Sequence, residues 1–117
     1  MSYVLCVDDD PDMVAVIKVV LEAEGYACRS AENGETALAM ALEEKPSLVL
    51  LDMMMPIMNG WECAAALRKL YGHTLPIVIV TAAEHAEAWR AEVDADAAIA
   101  KPFDVQRLVG VVSQHAR

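Results

Sequence analysis

Three short runs of this chain are apolar at every position: residues 3–7, 48–51 and 77–80. A strand with one face in water alternates apolar and polar residues. Runs without alternation therefore suit strands covered on both faces, as in a parallel sheet between helical layers. The longest apolar stretches, residues 48–51, 53–58 and 75–80, are far too short to cross a bilayer, and Asp52 separates the first two.

Helical patterns fill the intervals. Asp10 is a plausible N-cap and Pro11 suits a first turn; Met13, Val16, Ile17, Val20 and Leu21 then recur at helical spacing until Gly25. A weaker strand follows at residues 26–30, and Asn33 or Gly34 opens a second helix reaching about Glu44, carried by Ala37, Leu38, Ala41 and Leu42. Asn59-Gly60 starts a third helix reaching Leu70, and a fourth is expected around residues 84–92. A feeble fifth strand covers residues 97–100, and a last helix runs from its N-cap Asp104 to the C-terminus. Five strands alternating with five helices predict one α/β domain over residues 1–117, a parallel five-stranded sheet with helices on both faces.

Composition narrows the function. Eighteen acidic residues against nine basic ones give a net charge of −9, which repels nucleic-acid phosphates, so direct nucleic-acid binding is not expected. Cys6, Cys28 and Cys63 are odd in number and widely spaced, which fits small buried hydrophobes in a reducing compartment and no disulfide frame or zinc site. No charged stretch followed by an apolar one opens the chain, so a cytoplasmic protein without membrane attachment is expected.

Parallel α/β sheets bind ligands beyond the carboxyl ends of their strands. There the first strand delivers Asp8, Asp9 and Asp10, the third Asp52, the fourth Thr81 and the fifth Lys101. Gathered carboxylates repel one another unless a cation intervenes, and the all-oxygen set of Asp8, Asp9 and Asp52 suits Mg²⁺. The hydroxyl of Thr81 and the ammonium of Lys101 are donors suited to phosphoryl oxygens. Asp10 reads better as a helix cap than as a ligand. The methionines at Met53 to Met55 and Met58 read as loop and core packing, because thioethers do not suit Mg²⁺. His73, His85 and His115 lack partners at ligand spacing and are expected at the surface, while Trp61 is expected to pack the third helix.

The segments Cys6-Val7-Asp8-Asp9-Asp10-Pro11, Leu51-Asp52-Met53-Met54-Met55-Pro56-Ile57-Met58-Asn59-Gly60, Val80-Thr81-Ala82 and Lys101-Pro102-Phe103 stand in this order along the chain. Together they resemble the response-regulator receiver domain of two-component signalling, the CheY-like superfamily. The resemblance implies a flavodoxin-like sheet in the order 2-1-3-4-5 and a cis bond before Pro102. It implies that Asp52 accepts a phosphoryl group from a histidine kinase or histidine phosphotransfer protein. Asp9, Asp52 and the backbone carbonyl of Met54 would ligate Mg²⁺, with Asp8 acting through water. Lys101 would pair with the phosphoryl charge and Thr81 would turn toward it. Such a protein catalyses only its own phosphorylation and dephosphorylation, and passes the signal to a downstream protein that the sequence leaves unknown. A homodimer through the fourth helix, fifth strand and fifth helix stays open alongside a monomer.

Three departures from the family pattern bear on mechanism. Ala98 stands where most receivers carry a switching aromatic. Met54 and Ala83, at positions that tune phosphoryl loss, cannot orient a water by hydrogen bonding, so slow self-dephosphorylation is expected. The segment from Thr81 to Lys101 is slightly short, so a trimmed or irregular fourth helix is expected, with an Ala-rich surface. A constitutive interaction module acting without phosphorylation is the alternative. An aspartyl phosphatase is disfavoured because Met54 replaces the second carboxylate that such chemistry needs.

Overall fold

In the computed structural model, which describes residues 2–116, β1 (Val4–Val7), β2 (Cys28–Ala31), β3 (Leu48–Asp52), β4 (Ile77–Ala82) and β5 (Ala97–Lys101) form one sheet in the order β2-β1-β3-β4-β5. Every neighbouring pair is parallel. The helices are α1 (Pro11–Ala23), α2 (Gly34–Glu43), α3 (Gly60–Tyr71), α4 (Ala83–Val93) and α5 (Val105–His115), with a 3₁₀ turn at Gly72–Thr74 after α3. This is the flavodoxin-like arrangement expected; the expected extremes at Met1 and Arg117 lie outside the described residues.

The uniform apolar runs have the predicted cause. Leu5, Val7, Val49, Leu51, Ile77 and Ile79 point into a core closed by α2, α3 and α4, and their chain neighbours Val4, Cys6, Leu48, Leu50, Val78 and Val80 point into another closed by α1 and α5. β2 lies at the sheet edge with two exposed positions, which explains its weak pattern. Its bounds differ from the expected 26–30 because Gly25, at φ +92°, terminates α1. The amides of Gly25 and Tyr26 turn back to the carbonyls of Glu22 and Leu21, so pairing begins only at Cys28. Cys28 is half-buried, unlike Cys6 and Cys63.

The buried helical faces are narrower than the spacing suggested: α1 buries Ile17 and Leu21 while Val16 stays exposed, and α2 buries Ala37 and Ala41 while Leu42 stays exposed. Where the sequence allows for an irregular fourth helix, α4 is a regular one. It runs eleven residues and follows β4 directly: β4 ends at Ala82, and Ala82 is itself the N-cap. No connecting loop remains. The caps expected at Asp10 and Asp104 both form, and at the expected helix start the Asn59 side chain and Glu62 make a reciprocal capping box. Among the described residues, no helix is long and apolar enough to cross a membrane.

Candidate functional site

Register builds the site. Val7 pairs with Leu51, so the residues that follow them, Asp8 and Asp52, emerge side by side from adjacent central strands. Asp52 pairs with Val80, which places Thr81 one step beyond, and Ala82 pairs with Lys101. Carboxylate oxygens of Asp8, Asp9 and Asp52 all lie within 4.8 Å of one another. Lys101 Nζ stands 3.5 Å from Asp8 Oδ2 and 3.6 Å from Asp52 Oδ1. Asp8, Asp52 and Thr81 are buried, at 4%, 7% and 5% exposure, whereas Asp9 reaches solvent. The peptide bond between Lys101 and Pro102 is cis.

The loops that leave these strands are tied to the carboxylates. The Asp10 amide donates to Asp8 Oδ1 at 2.9 Å, and the Met54 amide donates to Asp52 Oδ1 at 3.4 Å. The Asp10 side chain turns away from the cluster and caps α1 through the amides of Asp12 and Met13. Beyond Asp52, Met53 is fully buried and Met55 nearly so, but Met54 is 65% exposed, so the packing expected of these methionines fails at Met54. At Gly60 the chain returns to the site: its amide donates to the Met53 carbonyl at 3.0 Å. A Cβ there would stand 2.5 Å from Met53 Cα and 3.0 Å from the Asp52 carbonyl oxygen, so only glycine fits.

Burial and the neighbouring charge of Asp8 push the Asp52 carboxyl above its usual range, with Asp9 adding to the rise; Lys101 and the Met54 amide pull against them. This cluster fits a divalent cation. Three hard oxygen donors converge within chelating reach, one of them is destabilised by its anionic neighbours, and only one lysine offsets them. A cavity of about 460 Å³ opens over the cluster.

That cavity is also lined by His85 and Trp89 of α4, which the sequence did not single out as site residues. His85 is not a free surface histidine: it is half-buried, stacked on Trp89 with ring centroids 4.1 Å apart and planes at 8°. Their spacing of four residues, one turn of a helix that starts at the strand end, was the available signal. His73 is exposed, 2.8 Å from Asp94, and His115 is half-buried near the end of α5. Trp61 packs on the core as expected and also meets Trp89. Beside α4, Ala98 leaves a groove, and the Arg107 guanidinium reaches across to donate to the Ala98 carbonyl.

A family model for the response regulator receiver domain matches residues 4–113. Protein PilH of Pseudomonas aeruginosa is 32% identical over 116 residues, covering 97% of this chain and 96% of PilH. The phosphate regulon transcriptional regulatory protein PhoB of the same organism is 39% identical over 109 residues, and there the chain spans 48% of the relative's length. Among solved structures, the response regulator TrrA of Thermotoga maritima, in complex with Mg²⁺ and BeF, superposes with a TM-score of 0.87 at 32% identity, covering 97% of this chain and 98% of TrrA.

Proposed function

The chain belongs to the response-regulator receiver family, and from that premise we propose that it is a phosphoryl-accepting switch whose acceptor is Asp52. The observation that carries this reading is the convergence of Lys101 Nζ and two further carboxylates on one buried Asp52 side chain. An Asp52 oxygen attacks the phosphorus of a phosphohistidine, the P–N bond breaks, and an aspartyl phosphate forms. Lys101, placed between Asp8 and Asp52, pairs with the charge of the arriving group. The Thr81 hydroxyl, one step beyond Asp52's partner Val80, donates to a phosphoryl oxygen. Asp9, Asp52 and the Met54 carbonyl would hold Mg²⁺, with Asp8 assisting through water, and the ion would neutralise phosphoryl oxygens during transfer.

The donor on this reading is a histidine kinase or a histidine phosphotransfer protein, and the product is read by a downstream protein. Incubation with acetyl phosphate and Mg²⁺, followed by intact mass measurement, tests the acceptor. One phosphoryl adduct is expected on wild type and none on Asp52→Ala. A folded wild-type protein that stays unmodified, even by its cognate donor, would sink the reading. It would favour the alternative to which Ala98 points, an interaction module that binds partners equally well with or without Asp52.

A further inference from the structure

The two walls of the acidic cavity differ in kind. One is the carboxylate edge of the sheet; the other is the start of α4, with His85 and Trp89. The His85 ring lies flat on Trp89, and Trp89 meets Trp61 of α3 edge to face, with centroids 4.8 Å apart and planes at 69°. Trp61 Nε1–H donates to Glu92 Oε1 at 3.2 Å, closing a link from α3 back to α4. Both indoles pack on the sheet core, although α4 has no fully buried residue. This chain of ring contacts braces His85 in the cavity wall.

We propose that the stacked His85–Trp89 pair is a positioning element of the acceptor site, a wall that screens aspartyl phosphate from water and sets its lifetime. The inference rests on Asp52 being the acceptor. In hydrolysis, a water oxygen bonds to phosphorus, the P–O bond to the Asp52 carboxyl breaks, the carboxylate re-forms, and inorganic phosphate leaves with the water's protons. A side chain that orients that water speeds the step; one that occupies its approach slows it. Of the residues lining the cavity beside Asp52, Met54 and Ala82 have no side-chain donor to orient a water. His85 Nε2 lies 3.6 Å from the carboxylate of exposed Glu84, and one ring face is spent on Trp89. The contribution assigned to it is the flat ring itself, and His85→Phe separates that role from a base's.

Wild type, His85→Ala, His85→Phe, Trp89→Ala and Trp89→Phe, each loaded with acetyl phosphate and Mg²⁺ and freed of donor, would be followed by intact mass as the adduct decays. His85→Ala and Trp89→Ala are expected to shorten the lifetime several-fold. His85→Phe, which keeps the ring and loses the nitrogens, is expected to restore it, and Trp89→Phe covers the case in which Trp89→Ala does not fold. A His85→Ala decay equal to wild type overturns the inference, and so does His85→Phe decaying as fast as His85→Ala. No adduct on wild type would overturn the acceptor reading, and the inference with it.

Discussion

Asp52 carries its charge where the fold makes charge costly. It is 7% exposed, and Asp8 and Asp9 stand within 4.8 Å of it. Its carboxyl is raised above 3.8 by burial first and by Asp8 second. Between the unfolded and folded values the folded state holds more protons, so stability falls as pH climbs through that window, and the whole cost is present once pH exceeds the folded value. Asp52→Asn removes the charge while Lys101 keeps its contact with Asp8. Without divalent cations, the variant is expected to melt a few degrees above wild type at pH 7, the gap closing below pH 3.8. Equal or lower melting at pH 7 would contradict this account. The identities of Asp8, Asp9, Asp52, Thr81 and Lys101 were legible because each is a polar residue ending an apolar run. The contact of Lys101 with two carboxylates was not, since it depends on register across β1, β3, β4 and β5.

Elements show the same division between local and distant causes. Caps at Asp10 and Asp104 were legible because a cap is a short-range hydrogen bond to an amide two or three residues on. The regularity of α4 was not legible because chain length between Thr81 and Lys101 cannot say how those residues divide between helix and loop. The start of α3 is a further case: Asn59-Gly60 read as a helix start, but its docking on Met53 is a tertiary fact. Replacing Gly60 with Ala puts a methyl 2.5 Å from Met53 Cα, and backbone cannot swing aside as a side chain end would. Gly60→Ala is expected to destabilise by about 2 kcal/mol, within the usual range for overpacking. Because the displaced atoms adjoin Asp52, phosphorylation by acetyl phosphate should slow as well. Denaturant melts and adduct accumulation measure the two effects; an unaltered rate in folded protein would show that Asp52 is not held through α3.

At the scale of the whole molecule, alternation of apolar runs and helical spacing was enough to read one parallel sheet covered on both faces. The order 2-1-3-4-5 was not in that alternation and came from the resemblance, because nothing local says which strand lies beside β1. That order brings β1 and β3 together at the centre, so acidic residues 43 positions apart in the sequence, Asp9 and Asp52, share one cavity. On the proposed reading, stability is linked to a cation whose three carboxylate ligands converge only when the sheet is assembled. A ligand at 100 times its Kd stabilises the folded state by about 2.7 kcal/mol, which in a domain of this size raises Tm by roughly 10 °C. Mg²⁺ should therefore raise the Tm of wild type well beyond what NaCl does at equal ionic strength, since salt only screens the net charge of −9. Asp9→Asn and Asp52→Asn, each missing one converging oxygen anion, should lose most of the Mg²⁺-specific rise. Scanning calorimetry at several Mg²⁺ concentrations decides it: equal shifts in wild type and both variants would place the cation elsewhere on the acidic surface.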